Sequence, residues 1–263
     1  MNTPGPPLVF ITGASSGIGQ ALALRYARAG WRLALVARRP AELEVWSRAQ
    51  GLGASICAVY AADVQQFDSI VAAGQACIAA QGLPKVVIAS AGISVGVDTA
   101  VRTDLDVMRD VFATNMLGLA ATFHPFIGAM RAQGSGRLVG IASVSAIRGL
   151  PGHGAYCASK AAVVAYCESL RGECRADGVR VVTLLPGYIA TPLTAGNPYS
   201  MPFLISPETF ADLAFEAIEA GTSYRVIPWQ MAVVAKLLRL LPNGLFDSLL
   251  ARRGRKPRRD PAG

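Results

Sequence analysis

Six short runs of β-branched and aliphatic residues recur along this chain, each separated from the next by room for one helix. They are LVFIT (8–12), RLALVA (32–37), SICAVYA (55–61), KVVIASA (85–91), RLVGIAS (137–143) and VRVVTLL (179–185). A strand with one wet face alternates apolar and polar residues. These runs are nearly continuous in apolar residues, so both faces are covered. The intervening segments 16–30, 40–50, 65–80, 104–132 and 153–176 carry helical patterns, and a helix over 207–221 and a strand over 224–228 follow. Such alternation builds a parallel sheet with helices on each face. It runs unbroken over 8–228, which predicts one doubly wound α/β domain of Rossmann type over 1–228, with ligands at the carboxyl ends of the strands.

Composition removes several alternatives. The 263 residues are 52% apolar and 16% charged, too apolar for a disordered chain. No uncharged apolar run approaches the roughly 18 residues of a spanning helix, and the first residues lack the pattern of a signal peptide. Cys57, Cys77, Cys157, Cys167 and Cys174 sit in apolar runs without metal-site spacing. Free buried thiols in a reducing cytoplasm are the expectation. The net charge of +8 is uneven: the six basic residues of RRGRKPRR (252–259) account for all but two of it. The body supplies no basic face for nucleic acid.

TGASSGIG (12–19) follows the first strand directly. Gly13, Gly17 and Gly19 permit a tight strand-to-helix turn and close main-chain approach to a phosphate at the helix N-terminus. No Lys-Ser/Thr follows, so this is not a P-loop. After the second strand, VARRPAE offers Arg38 and Arg39, with no acid until Glu42. In dinucleotide folds an acid here takes the ribose hydroxyls, whereas arginine accommodates a 2′-phosphate. Tyr156 and Lys160, in GAYCASKAAVVAY (154–166), lie one turn apart on one helical face. Alone, the pair fits either a core tyrosine beside a lysine or a catalytic unit.

TGASSGIG, YCASK and LLPGYIATP together, in this order, resemble the short-chain dehydrogenase/reductase family over most of residues 8–228. The resemblance implies hydride transfer between a nicotinamide cofactor and a ketone/alcohol pair. Ser143, Tyr156 and Lys160 match the family's catalytic set, and Asn115 its fourth position. Tyr156 would be the acid/base, its pKa lowered by the Lys160 ammonium and by a nicotinamide bearing positive charge. Ser143 would hold the substrate oxygen with Tyr156, and Asn115 would hold a water leading to Lys160. Cofactor contacts are implied for Gly13, Ser15, Ser16, Gly17, Ile18 and Gly19; for Arg38, Arg39, Asp63 and Val64; for Ala91 and Gly92; for Tyr156 and Lys160; and for Pro186, Gly187, Ile189 and Thr191. Arginines at 38 and 39 favour NADP(H), with NAD(H) the alternative. Ser90 stands where the family usually has asparagine. Asp63 also reads as a helix N-cap, and His153 as a solvated loop residue.

The family's mobile substrate lid corresponds to PGYIATPLTAGNPYSMPFLISP (186–207). Its apolar side chains suit a hydrophobic substrate, a 3-oxo lipid or steroid-like ketone, or else pack on the domain. Residues 229–251 exceed the family's core and read as two apolar helices broken at 242–244, and 252–263 as a disordered basic tail. Apolar helices followed by basic residues fit either an anionic membrane surface or an oligomer or lid-packing extension. The family's habits imply a homo-oligomer. A non-catalytic dinucleotide-binding regulator or scaffold is the competing function, and the intact Ser143–Tyr156–Lys160 set speaks against it.

Overall fold

The computed structural model describes residues 5–251 and 254–259. Seven parallel strands form one sheet: β1 (Leu8–Thr12), β2 (Arg32–Ala37), β3 (Cys57–Ala61), β4 (Val86–Ala89), β5 (Gly136–Ile141), β6 (Val179–Pro186) and β7 (Tyr224–Ile227). Their order is β3-β2-β1-β4-β5-β6-β7. Alternate residues of each strand face opposite layers. Val9, Ile11, Leu33, Leu35, Val86 and Ile88 enter one core. Leu8, Phe10, Ala34, Val36, Val87 and Ala89 enter the other. This double burial is what the unbroken apolar runs required.

Helices α1 (Gly17–Arg28), α2 (Pro40–Ala49) and α8 (Pro207–Ala220) contribute to the first core, through Leu22, Tyr26, Leu43, Phe210 and Ile218. Helices α3 (Phe67–Gln81), α5 (Gly118–Gln133) and α6 (Gly154–Cys174) contribute to the second, through Ile70, Phe123, Phe126, Val163 and Leu170. Cys57, Cys77, Cys157, Cys167 and Cys174 are all buried, and none of them is in a disulfide.

The helix expected over 104–132 is interrupted. It divides into α4 (Arg102–Phe112), a π-helical turn (Ala113–Leu117) and α5. Val111, Asn115, Leu119 and Phe123 are all buried and spaced by four residues. In a regular helix of 3.6 residues per turn, that stripe rotates about 40° per step. The wider turn takes up part of this drift and keeps the stripe inward.

Beyond the sheet come α9 (Trp229–Leu240) and α10 (Asn243–Leu250), the two helices expected there. Arg148 fastens them to the loop after β5. Its guanidinium donates to the carbonyls of Leu238 and Leu241 and to Asn243 Oδ1, and lies 3.7 Å from the Phe246 ring centroid. A cation at the end of α9 meets carbonyls the helix leaves unpaired. No helix among the described residues is long and apolar enough to cross a membrane.

The basic tail departs from its sequence reading. Residues 254–259 are not free of the body. They run past Gly96, where the Gly96 N–H donates to the Pro257 carbonyl at 2.9 Å. Arg258 and Arg259 reach Asp104 and Asp110 on α4. The reason is local: the tail's cations find acids and exposed carbonyls on the body, which its composition alone does not reveal. The remaining tail residues lie outside the described ones.

Candidate active site

Strand β1 stands between β2 and β4, so its neighbours leave in opposite directions and a crevice opens at the carboxyl ends. A cavity of about 480 Å³ fills it. Gly13, Ser15, Ser16, Gly17, Ile18 and Gly19 form one wall. Gly13 has φ +67°, and a Cβ there would stand 2.7 Å from the main chain of Ala91. A Cβ on Gly19 would stand 2.2 Å from the Gly13 carbonyl oxygen. The loop therefore folds flat onto the end of β4, with α1 starting at the cavity. Ser16 caps α1 without a side-chain hydrogen bond, which leaves first-turn N–H groups for an anionic ligand.

Arg38, Arg39, Asp63, Val64 and Gln65 line the next stretch. Both arginines are exposed at the rim, and Arg39 pairs with Glu42 at 3.2 Å. Asp63 does not cap α3, which begins four residues later. Its carboxylate instead accepts from the Gln65 N–H at 3.0 Å and shapes the turn. Gln65 in turn donates to Thr114 Oγ1 at 2.8 Å. Gln65 and Thr114 are cavity residues that the sequence reading omitted; the only signal for Gln65 was its place two residues after Asp63.

Ser90, Ala91 and Gly92 close the floor. A Cβ on Gly92 would lie 3.4 Å from both Asn115 Oδ1 and Lys160 Nζ, so that residue joins cofactor wall and catalytic helix. The far end holds Ser143, Tyr156, Lys160, Pro186, Gly187, Ile189 and Thr191. Thr191 opens the short helix α7 (Pro192–Ala195), and its N–H donates to Thr194 Oγ1 at 3.1 Å. Asn115 sits behind the wall rather than on it, 1% exposed. Its side chain accepts from the Ile93 N–H at 2.8 Å and donates to the Ile93 carbonyl and Ser159 Oγ, both at 3.0 Å. The amide is thus committed to bracing the loop after β4.

Ser143 ends the fifth strand's run, and its Oγ accepts from the Ser145 N–H at 3.1 Å. Tyr156 lines the same end of the cavity as Ser143. Lys160 is buried, and Nζ donates to the Ile141 carbonyl at 2.7 Å, 5.9 Å from the Tyr156 ring centroid. Burial pushes the ammonium's pKa down to about 8. Loss of water around the Tyr156 hydroxyl pushes its pKa up to about 12, against a smaller lowering from Ser143. The expected lowering counted the charge of a bound nicotinamide together with Lys160; in the protein alone desolvation is the larger effect.

His153, expected in solvent, is buried. Nδ1 meets the Pro151 carbonyl at 3.1 Å and Nε2 the Tyr199 hydroxyl at 2.9 Å. It ties the segment before α6 to the loop after α7.

The sequence model of the short chain dehydrogenase family matches residues 7–199. The chain belongs to that family. An uncharacterized oxidoreductase of Myxococcus xanthus is 38% identical, over 92% of this chain and 96% of that one. The 3-ketoacyl-(acyl-carrier-protein) reductase of Brucella melitensis, solved with NADH, is 25% identical with a TM-score of 0.76, covering 85% of this chain and 97% of that one. An alcohol dehydrogenase of Thermococcus sibiricus, solved with 5-hydroxy-NADP, is 25% identical with a TM-score of 0.73, over 84% and 95%. This short-chain dehydrogenase is therefore an oxidoreductase with a dinucleotide-binding fold. A loop with no room for side chains, a helix start with spare donors and a cationic rim fit a nicotinamide dinucleotide.

Proposed function

We propose that the protein reduces a ketone to a secondary alcohol at the expense of NADPH. The observation that carries this reading is that Ser143, Tyr156 and Lys160 line the same end of the crevice, with Lys160 Nζ 5.9 Å from the Tyr156 ring centroid. NADPH supplies hydride to the carbonyl carbon. Ser143 and Tyr156 hold the carbonyl oxygen, and as the C–O double bond becomes single the Tyr156 proton passes to it. Gly13 to Gly19 receive the pyrophosphate, and Arg38 the 2′-phosphate, with no acid at that position to favour NAD. Pro186, Gly187, Ile189 and Thr191 hold the nicotinamide end, Ala91, Gly92 and Lys160 its ribose, and Asp63 and Val64 the adenine side. The substrate is hydrophobic, a lipid-like or steroid-like ketone, because Leu193 and Ile93 line the same cavity and Tyr188 and Tyr199 pack nearby, with centroids 6.4 Å apart. Tyr156→Phe tests the core of this reading. Turnover of a carbonyl panel, followed by NADPH absorbance, should fall on the order of 10²–10⁴-fold while NADPH still binds. Unchanged turnover overturns it.

A second reading concerns α9 and α10. Trp229, Val233, Leu237 and Leu240 form one exposed stripe, with Leu240 80% exposed, and Leu245 and Leu249 add to it from α10. Residues 220–246 contain no acid, while Lys236 and Arg239 stand on the exposed side. We assign this face to an anionic membrane surface. Flotation with phosphatidylserine vesicles should carry the full-length protein. A stripe hidden in a homo-oligomer leaves it at the bottom, and sedimentation then reports the multimer that the family's habits imply.

A further inference from the structure

Residues 254–259 touch three segments beside the crevice, those that follow β4, β5 and β6. Lys256 Nζ donates to the Leu193 carbonyl at 2.9 Å and to Asn197 Oδ1 at 2.7 Å. These lie in α7 and just beyond it, the segment that follows β6. A cation there meets carbonyls that the end of a short helix leaves unpaired. Gly254 packs against Pro198, since a Cβ on it would lie 3.3 Å from Pro198 Cγ. On the opposite bank, a Cβ on Gly152 would lie 3.0 Å from the Arg255 Cβ. Gly152 is four residues before Tyr156.

The far end is anchored after β4. Arg258 grips Asp104 with two bonds, Nε to Oδ2 at 2.6 Å and Nη2 to Oδ1 at 3.1 Å. Asp104 is 4% exposed, and its Oδ2 also accepts from the Asp98 N–H at 2.7 Å. A nearly buried carboxylate held by a two-pronged guanidinium is a built anchor rather than a passing surface pair. The main chain takes part too. Gly96 and Arg258 form a parallel bridge, and a Cβ on Gly96 would stand 2.1 Å from the Lys256 carbonyl oxygen. The seat on Gly96 has no room for a side chain.

We propose that residues 254–259 form a strap that holds the substrate lid down over the crevice, with Lys256 as the positioning residue and Gly96 and Asp104 as its seat and anchor. The strap links the ends of β4, β5 and β6 around the mouth in which Tyr156 works. It acts on the reaction through the lid, not through the reacting atoms. The proposal rests on the reading of 186–207 as the substrate lid.

Hydrogen exchange of the full-length protein tests it without any turnover. Lys256→Met, Gly96→Ala and Arg258→Ala remove the lid contact, the seat and the anchor in turn. Each should speed exchange of the Thr194, Ala195 and Asn197 amides about tenfold while the β1 and β4 amides stay protected. With a substrate from the carbonyl panel, Lys256→Met and Gly96→Ala should raise KM about five- to tenfold and change kcat less than twofold. Unchanged lid exchange in Lys256→Met and Gly96→Ala overturns the strap. So does an effect confined to Arg258→Ala, which would report only the stranded Asp104 carboxylate. Failure of the Tyr156→Phe test would strike the proposed reaction and leave the exchange result standing.

Discussion

The two ends of the crevice are built by different means. At the phosphate end the main chain does the work. Gly13 lies against the backbone of Ala91, and the Gly19 site faces the Gly13 carbonyl, all within a loop and the strand beside it. At the substrate end, side chains reach across long stretches of sequence. His153 meets Tyr199, Arg148 meets Leu238 and Leu241, Lys256 meets Asn197, and Arg258 meets Asp104. A main-chain cradle tolerates almost no substitution and does not adjust. A wall of side chains can be retuned one residue at a time.

The largest expected effect falls on the rigid end. Gly19→Ala forces a methyl into the Gly13 carbonyl, and thermal unfolding should show a loss of about 3 kcal/mol or more, with NADPH binding gone. If Gly19→Ala were as stable as wild type, the phosphate end would be no more rigid than the lid. Next comes cofactor choice, where the same end carries its one side-chain decision. Arg38→Asp should move the NADPH-to-NADH ratio of kcat/KM by tenfold or more, about 1.4 kcal/mol, as titration with both cofactors would read.

Lys160, at the substrate end, sharpens the comparison through pH. Its ammonium, with pKa brought down to about 8, is charged below that value and neutral above it. If the reduction needs the charge, its rate is level below pH 8 and falls about tenfold per unit above. Lys160→Arg should remove that fall, since a guanidinium stays charged. The smallest effect is expected at the adjustable end. His153→Phe loses the ring's hydrogen bonds to Pro151 and Tyr199, and KM should rise about two- to tenfold with the fold intact.

The same contrast governs how much the sequence disclosed. The sheet was legible because burial on both faces leaves apolar runs that no other arrangement explains. The cradle was legible because a main-chain site needs glycines, and Gly13, Gly17 and Gly19 stand in sequence as they stand in space. Ser143, Tyr156 and Lys160 were legible as residue types, but the direction of the tyrosine's shift was not, because desolvation depends on what surrounds the hydroxyl. Gln65 and Thr114 were missed because they meet across 49 positions. The tail was misread for a related reason. A run of basic residues looks solvated until Asp104, buried 154 positions before Arg258, is known to hold that guanidinium. That His153 is buried follows from Tyr199, a lid residue whose position no local pattern fixes.

The π-helical turn between α4 and α5 has a consequence for which changes the chain can survive. One turn sets the rotation of two things at once: the Asn115 amide toward Ile93, and Leu119, Phe123 and Phe126 toward the second core. Point substitutions within Ala113–Leu117 disturb one contact each. Removing any one of those residues turns everything downstream by about 100°, sending the apolar stripe of α5 sideways and unbracing the loop after β4 together. Length, more than identity, is what this segment has to keep.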